Sequence, residues 1–218
     1  SFNKLVDDIE EGTEEVNIEV IENGILKAKQ TLNKAKMNID LNKVNKLIIS
    51  HGHDDHTGGL KYFFKEKRDV ELISHPESFN YKEDTTGLYI GTSLTKEELS
   101  KVCKLKLTKE PIKISEHITY LGEIPISNHF EQRYVIGKTI INEEKVEDTI
   151  DEDSAIVYKS EKGLFIITGC SHSGICNIIE YAKSVCNDER IYGVMCGFHL
   201  FENNERLQST IKYFKDNA

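Results

Sequence analysis

The chain of 218 residues has a mass of 24.9 kDa and a formal net charge of −9 at pH 7. Its 38% hydrophobic and 30% charged content is typical of a globular protein, and the length fits one domain, residues 1–218, with a substantial core. The negative charge argues against binding to nucleic acids or anionic membranes, because both partners require a basic surface.

No apolar run is long enough to cross a membrane, and the first residues lack the apolar segment of a signal peptide. The five cysteines are an odd number without the spacing of a disulfide framework, which favours a reducing compartment. We therefore expect a cytoplasmic protein. A small phosphorylated ligand remains compatible with the charge, since a bound metal ion could attract it locally.

The first third of the chain alternates predicted strands and helices. Apolar and polar residues alternate at 16–20, as in a half-buried strand, and residues 2–6 are a second strand candidate. A helix rich in Ala, Lys and Leu is predicted at 25–37, followed by a short apolar strand at 46–49. Helical spacing resumes at Leu60, so the intervening segment joins a strand to a helix.

Residues 50–59 read Ser-His-Gly-His-Asp-Asp-His-Thr-Gly-Gly. His51 and His53 project to the same side of an extended segment, and Asp55 and His56 follow where the chain turns. Imidazole and carboxylate groups together bind zinc, manganese or iron. A polar loop without a metal ion is the alternative, but three of the chain's eight histidines at this spacing favour a metal site.

A predicted strand at 70–74 ends at His75, and Pro76 prevents it from continuing. A histidine at a strand end near a metal site is a possible ligand. We favour a position at the rim of the site, on the substrate side.

The middle of the chain is less regular. Residues 80–93 are predicted to be irregular, and a capping box at Thr95 begins a short helix that runs to Cys103. Strands are expected within 112–123 and 133–141. The acidic segment that follows, up to Asp153, is predicted to be a surface loop.

The last third again alternates strands and helices. We predict strands at 155–158 and 164–167 around a Glu-Lys-Gly turn, a helix at 175–185 with Ser173 as a possible N-cap, a strand at 191–195 and a helix after Asn203. This alternation indicates an α/β (α+β) arrangement.

Three apolar strands are each followed by glycine and histidine, which supply His51, His172 and His199. In open α/β sheets, ligands collect at the carboxyl ends of the strands, so the three loops are expected to converge. His172 and His199 therefore join the candidate metal ligands. Cys170 could bind a metal ion as a thiolate or pack as a small apolar residue, and we favour packing.

The first motif resembles the His-x-His-x-Asp-His motif of the metallo-β-lactamase fold superfamily and matches it at all four ligand positions. Five further phrases occur in a matching order: Leu5-Val6-Asp7, His75-Pro76, Gly122-Glu123-Ile124-Pro125, Gly169-Cys170-Ser171-His172-Ser173-Gly174-Ile175 and Gly197-Phe198-His199-Leu200. Together they are similar to the branch named for dihydropterin-methyl ribofuranosylaminobenzene phosphate synthase. The resemblance implies a four-layer αββα sandwich with a metal centre at one edge.

One or two divalent cations are the expected cofactors, with zinc first and manganese or iron as alternatives. Their expected ligands are His51, His53, Asp55, His56, His172 and His199. Asp55 is also the candidate catalytic residue, because its carboxylate could steer a water molecule.

The resemblance implies a metal-dependent hydrolase, or a synthase that joins a pterin diphosphate to a ribofuranosylaminobenzene phosphate. The alternative is a catalytically weak metal- or ligand-binding relative with a regulatory role. A di-iron redox protein would need a carboxylate where His53 stands.

Two segments that are usual in the branch do not occur in these residues. They are a Phe-Asp-Thr-Gly phrase before the first motif and a Cys-His-Cys-Thr-Gly phrase after the last helix. We therefore expect a single domain that is shortened before residue 46 and at its C-terminus, which favours the weak relative.

Overall fold

The computed structural model describes residues 18–20, 40–66 and 69–217. The strand predicted at 2–6 and the helix predicted at 25–37 lie outside the described residues. Within the described part of the chain, no helix is both long and apolar enough to cross a membrane.

The described residues form three β-sheets with helices between the strands. The strands are β1 (Ile18–Val20), β2 (Lys46–Ile48), β3 (Glu71–Ser74), β4 (Lys82–Asp84), β5 (Lys104–Leu107), β6 (Ile112–Lys113), β7 (Ile118–Tyr120), β8 (Gly137–Ile141), β9 (Glu144–Asp148), β10 (Ala155–Ser160), β11 (Gly163–Thr168) and β12 (Ile191–Met195). The α-helices are α1 (Asp54–Thr57), α2 (Leu60–Glu66), α3 (Lys96–Ser100), α4 (Ile175–Cys186) and α5 (Glu205–Asp216). Two short 3-10 helices span Leu41–Lys43 and Pro76–Phe79.

The first sheet has the strand order β1-β2-β3-β5, and all neighbours in it are parallel. The helices that follow β2 and β3 provide the crossovers that parallel neighbours require. The second sheet has the order β12-β11-β10-β7-β6 and is antiparallel except for the pair β11 and β12. A third, antiparallel sheet has the order β4-β8-β9.

Side chains of the first sheet alternate between two cores, as the pleat of a strand requires. Leu47 and Leu72 are fully buried in the core that includes residues of α2 and α3. Ile48 and Ile73 follow them in sequence and belong instead to a core shared with Ile156 of the second sheet. Each such leucine or isoleucine contributes about 1.5–3 kcal/mol by leaving water.

The opposite face of the second sheet is covered by helices. Val157 and Ile166 share a core with Ile178 and Ile179 of α4, and Phe214 of α5 packs against it. The layers are therefore helix, sheet, sheet and helix, which confirms the predicted αββα sandwich.

The prediction of an acidic surface loop after residue 141 is wrong. β9 pairs with β8 through a turn at Asn142 and Glu143, whose φ angles of 51° and 69° suit a two-residue hairpin. Three carboxylates near the end of this segment are buried, those of Asp148, Glu152 and Asp153. The acidic composition misled the prediction because buried carboxylates need partners from elsewhere in the chain, which composition does not reveal.

Other predicted elements are observed with shifted ends. The capping box at Thr95 is confirmed, although α3 ends at Ser100. The strand predicted at 133–141 begins only at Gly137, and the N-cap of α4 is Gly174 rather than the preceding serine. The hairpin of β10 and β11, strand β12 and helix α5 agree with the prediction in type and order.

Backbone hydrogen bonds tie the loop after β2 to the start of β10, and the loop after β11 to the loop after β12. The N–H of Ser154 donates to the carbonyl of Ser50 at 2.9 Å, which joins the two sheets. The N–H of Gly197 donates to the carbonyl of Gly169 at 2.7 Å, which joins the other two loops. This edge of the sandwich carries the candidate site.

Candidate metal centre

Four histidines from two distant segments meet at this edge. The ring of His51 lies 4.8 Å from that of His53, 4.1 Å from that of His56 and 4.8 Å from that of His172, measured between centroids. The rings of His53 and His172 are 5.3 Å apart. The loop after β11 therefore reaches the first motif, as the strand-end argument expected of it.

Candidate ligand atoms fall into three groups in the described residues, and within each group all atoms lie within 4.8 Å of one another. The groups are His51 with Cys170 and His172, His51 with His53 and Asp55, and Asp55 with His56 and Cys170. Because the groups share members, they form one cluster.

Cys170 lies inside this cluster. Its Sγ is 3.2 Å from Nε2 of His56. Sequence reasoning favoured packing for this thiol, whereas the structure places it among the candidate ligand atoms. Gly169 permits the approach, since a Cβ there would lie 2.5 Å from Oγ of Ser50 and 3.1 Å from the His56 ring.

The residues fit a metal ion, because buried imidazole nitrogens in the cluster have no hydrogen-bond partner in the described structure. These atoms are Nε2 of His51, Nε2 of His53, Nδ1 of His56 and both ring nitrogens of His172. A buried polar atom without a partner costs about 1–3 kcal/mol. Several such nitrogens in one place therefore need an explanation. A divalent cation would satisfy several of them at once.

The electrostatics of the cluster keep its imidazoles neutral. Burial lowers the pKa of His53 to about 4 and that of His172 to about 2, and it lowers the pKa of His51 well below its usual range. A neutral imidazole has the lone pair that a metal ion needs, so no proton has to leave before a cation binds at pH 7.

Asp153 is a buried carboxylate beneath the cluster that sequence reasoning missed. Its Oδ1 lies 3.9 Å from Nδ1 of His51, and its Oδ2 accepts a hydrogen bond from the N–H of Ser173 at 2.8 Å. Oγ of Ser50 is also 3.1 Å from Nδ1 of His51. Asp153 therefore links the His51 loop to the loop that carries His172. Carboxylates in this position orient metal-binding histidines. The sequence signal that could have pointed to Asp153 is its position just before the buried strand β10, from which it is separated by Ser154.

Asp55 lies on the solvent side of the cluster, beside the buried ring of His56. Oδ2 of Asp55 is 3.5 Å from Nε2 of His56, and the Asp55 side chain is 49% exposed. The carboxylate of Asp55 is thus the candidate ligand that a substrate or a water molecule can reach most directly.

His199 lies beside the cluster but outside the three groups. Its ring is 4.6 Å from that of His172, and its Nδ1 is 2.7 Å from the hydroxyl of Tyr134. Phe201, which is 83% exposed, contacts the same ring. Tyr134 and Phe201 extend the rim of the site, and nothing in their local sequence pointed to this position.

His75 is buried at the end of β3 and lies outside the three groups. Its Nε2 is 3.2 Å from Oε2 of Glu123, and its Nδ1 accepts a hydrogen bond from the N–H of Glu77. Because both ring nitrogens have protein partners, the geometry favours a structural role over metal binding.

The depressed histidine pKa values predict that the metal-free protein loses stability as the pH falls. Histidines of the unfolded chain titrate near 6.5, whereas His53 and His172 stay neutral to about 4 and 2. Below pH 6.5 each therefore lowers the free energy of unfolding by about 1.4 kcal/mol per pH unit. Asp153 has the opposite effect, because burial raises its pKa to about 7 and its folded form gains a proton over the same range. For two such histidines against one carboxylate, we expect a net loss of about 1–2 kcal/mol between pH 6.5 and 5, and the lowered pKa of His51 acts in the same direction as those of His53 and His172.

Urea unfolding in EDTA at several pH values between 7 and 5 measures this loss. His53→Gln should flatten the dependence, while His129→Gln, at a side chain that is 85% exposed, should leave it unchanged. Equal stability of the native sequence at pH 7 and 5 would contradict the burial of neutral imidazoles.

A family model described as the metallo-beta-lactamase superfamily matches residues 22–184. The chain is 33% identical over 193 residues to 7,8-dihydropterin-6-methyl-4-(beta-D-ribofuranosyl)-aminobenzene-5'-phosphate synthase of Methanocaldococcus jannaschii, a match that covers 84% of this chain and 66% of that protein. It is 34% identical over 172 residues to an uncharacterized protein of the same organism, which covers 78% of this chain and 63% of that protein.

A solved structure is also similar. It is described as a metal-dependent hydrolase of the beta-lactamase superfamily, with a TM-score of 0.75 and 26% sequence identity. The similarity covers 94% of this chain and 74% of that one. The matched region is less than two thirds of the length of either curated relative, at 66% and 63%.

Proposed function

The chain belongs to the metallo-beta-lactamase superfamily, and from this premise we propose that it is a metal-dependent enzyme acting on a small-molecule substrate. One observation carries the proposal: buried, neutral imidazole nitrogens without partners surround a half-exposed carboxylate. These unsatisfied buried atoms lower the stability of the metal-free fold, and a cation that binds them would restore that stability.

We assign the candidate ligands to two cations. His51, His53 and His172 would hold one divalent cation. Asp55 and His56 would hold a second, which His199 borders and Cys170 can also reach. When bound, a divalent cation supplies Lewis-acid chemistry: it polarises a carbonyl or phosphoryl oxygen and lowers the pKa of water towards neutrality.

The chain's own residues supply orientation and proton transfer. Asp55 is exposed enough to accept a proton from an attacking water molecule or to steer that molecule. Ser50 contacts Nδ1 of His51 at 3.1 Å, with the carboxylate of Asp153 nearby at 3.9 Å, and this would keep Nε2 directed at the centre. The exposed rings of Tyr134 and Phe201 offer an apolar surface beside the centre for a planar part of a substrate.

Two reaction types use the same residues. Hydrolysis is suggested by the similar solved structure, which is described as a hydrolase. Synthesis is suggested by the curated relative, which is named as the synthase of a ribofuranosyl aminobenzene phosphate compound. Zinc is the first choice of metal, and manganese or iron is compatible with the same ligands.

Elemental analysis of the purified protein, combined with activity assays, tests the proposal. We expect one or two equivalents of metal per chain and turnover of a phosphodiester, thioester, lactone or pterin diphosphate substrate that a chelator removes and metal restores. Metal binding without any turnover would favour the alternative, a catalytically weak metal- or ligand-binding relative. Failure to bind zinc, manganese or iron at micromolar concentrations would contradict the metal-dependent enzyme and leave the ligand-binding alternative.

A further inference from the structure

A lysine is fully buried beneath the first motif. The side chain of Lys82, on β4, is only 1% exposed. Its Nζ donates to both carboxylate oxygens of Asp148, at 3.1 and 2.9 Å, and lies 2.8 Å from Oε1 of Glu152. The carboxylates of Asp148 and Glu152 are themselves 3% and 2% exposed. This buried triad of charges takes no part in the chemistry proposed above.

The triad is tied to the peptide that carries the first two histidines. Oε1 of Glu152 accepts a hydrogen bond from the N–H of Gly52, which lies between His51 and His53. Gly52 also packs closely against the backbone and against Lys82, since a Cβ there would lie 2.1 Å from the carbonyl oxygen of Ser78 and 3.0 Å from Cε of Lys82. The Gly52 peptide is therefore held by its hydrogen bond to Glu152 and by close packing against the backbone of Ser78.

The same triad connects the third sheet to this peptide. Lys82 lies on β4 and Asp148 at the end of β9, which are the two outer strands of that sheet. Oδ1 of Asp148 also accepts a hydrogen bond from the N–H of Ile150, which shapes the turn leading to Glu152. The triad thus joins three segments that are far apart in sequence: β4, the segment that carries Asp148 and Glu152, and, through Glu152, the Gly52 peptide.

Stability alone does not account for a buried triad of this kind. Removing charged groups from water is costly, and apolar residues of similar size often stabilise a fold at least as well. What an ammonium group adds is direction, because each of its protons requires an acceptor at a defined place. Burial alone would lower the pKa of Lys82, but the carboxylates of Glu152 and Asp148 raise it overall, so the group is charged at neutral pH.

We propose that Lys82 is a positioning residue, which acts through Glu152 and Gly52 to hold His51 and His53 in the geometry that binds a metal ion. The inference rests on the proposed function, because it requires the first motif to bind metal. It also gives the third sheet a role, because its strand β4 carries Lys82 and so supports the segment with His51 and His53.

The test compares Lys82→Met, which removes the charge, with Lys82→Arg, which keeps it. Lys145→Met is the matched control, because Lys145 is an exposed lysine of β9 paired with Glu83. Leu164→Ala is the control for lost stability, since it removes buried methyl groups at the end of β11 that is remote from the site. Three quantities are measured: the zinc Kd by chelator competition, the absorption spectrum with Co²⁺, and hydrogen exchange of residues 51–56 without metal.

For Lys82→Met we expect a zinc Kd raised by about 10- to 100-fold, the range typical of groups that orient metal ligands. The Co²⁺ spectrum should change, and amides of residues 51–56 should exchange faster in the metal-free protein. Lys82→Arg should recover part of the affinity, and both controls should keep the native Kd and spectrum. A folded Lys82→Met protein with the native Kd, spectrum and exchange would overturn the proposal.

If Lys82→Met does not fold, Glu152→Gln decides the question. This substitution keeps an acceptor for Gly52 but removes the ion pair with Lys82, so we expect a Kd raised by about 10-fold and a changed Co²⁺ spectrum. Native values in Glu152→Gln would overturn the proposal. If the native sequence itself binds no metal, the proposed function fails, while the exchange of residues 51–56 still reports whether Lys82 braces the loop.

Discussion

Replacing His51 with alanine should abolish metal-dependent turnover and leave the metal-free protein folded. His51 belongs to two of the three ligand groups, so its loss removes a ligand that no neighbour replaces. We expect turnover to fall by more than about 100-fold, the upper range for groups that only orient ligands. The fold should survive, because Nε2 of His51 has no partner and the loss is confined to the Nδ1 contact with Ser50 and the packing of one ring.

Activity with saturating zinc and circular dichroism of the metal-free protein measure these two effects. His129→Ala is the matched control, since this histidine is 85% exposed and lies outside the cluster. Asp55→Asn should behave like His51→Ala in the activity assay. Full turnover in both variants would contradict the proposed centre, whichever substrate is used.

Zinc should strongly stabilise the protein against unfolding. A ligand at a thousandfold excess over its Kd adds about 4 kcal/mol to the free energy of unfolding. For a chain of this length that corresponds to a rise in Tm of about 8–16 °C. The physical reason is local: the partnerless nitrogens of His51, His53 and His172 raise the free energy of the metal-free fold, and a cation removes that cost.

Thermal unfolding with and without zinc, followed by EDTA, measures the effect and its reversal. His172→Ala should lose most of the rise, because it removes two of the unsatisfied nitrogens. Lys145→Met serves as the control on the surface of β9 and should keep the full rise. A Tm that does not respond to millimolar zinc would show that the cluster does not bind it.

Local patterns predicted most of the elements around the site. The apolar run before His51, the hairpin of β10 and β11, and the capping box at Thr95 are all confirmed. Each depends on interactions within a few residues, such as strand alternation or a side chain that caps the next turn. The first motif could be identified from the sequence for the same reason, because its four candidate ligands lie within six residues.

The acidic stretch before β10 shows that local patterns do not predict which charged residues are buried. Asp148 and Glu152 are buried only because Lys82 donates to them, and Asp153 only because the Ser173 loop and His51 surround it. Taken alone, the acidic composition of that stretch indicates a solvated loop, since charged residues are rarely buried without partners.

By itself, the sequence determined the first candidate metal-binding motif, which is a short-range pattern, and the superfamily that this motif and the later phrases resemble; the layered fold followed from that resemblance. Tertiary structure decided which distant groups surround that motif: Asp153 behind His51, Cys170 within the ligand groups, and Tyr134 beside His199. The physical reason is that a buried polar group is stable only beside its partner. The partner of Gly52, for example, is Glu152, which is 100 residues away along the chain.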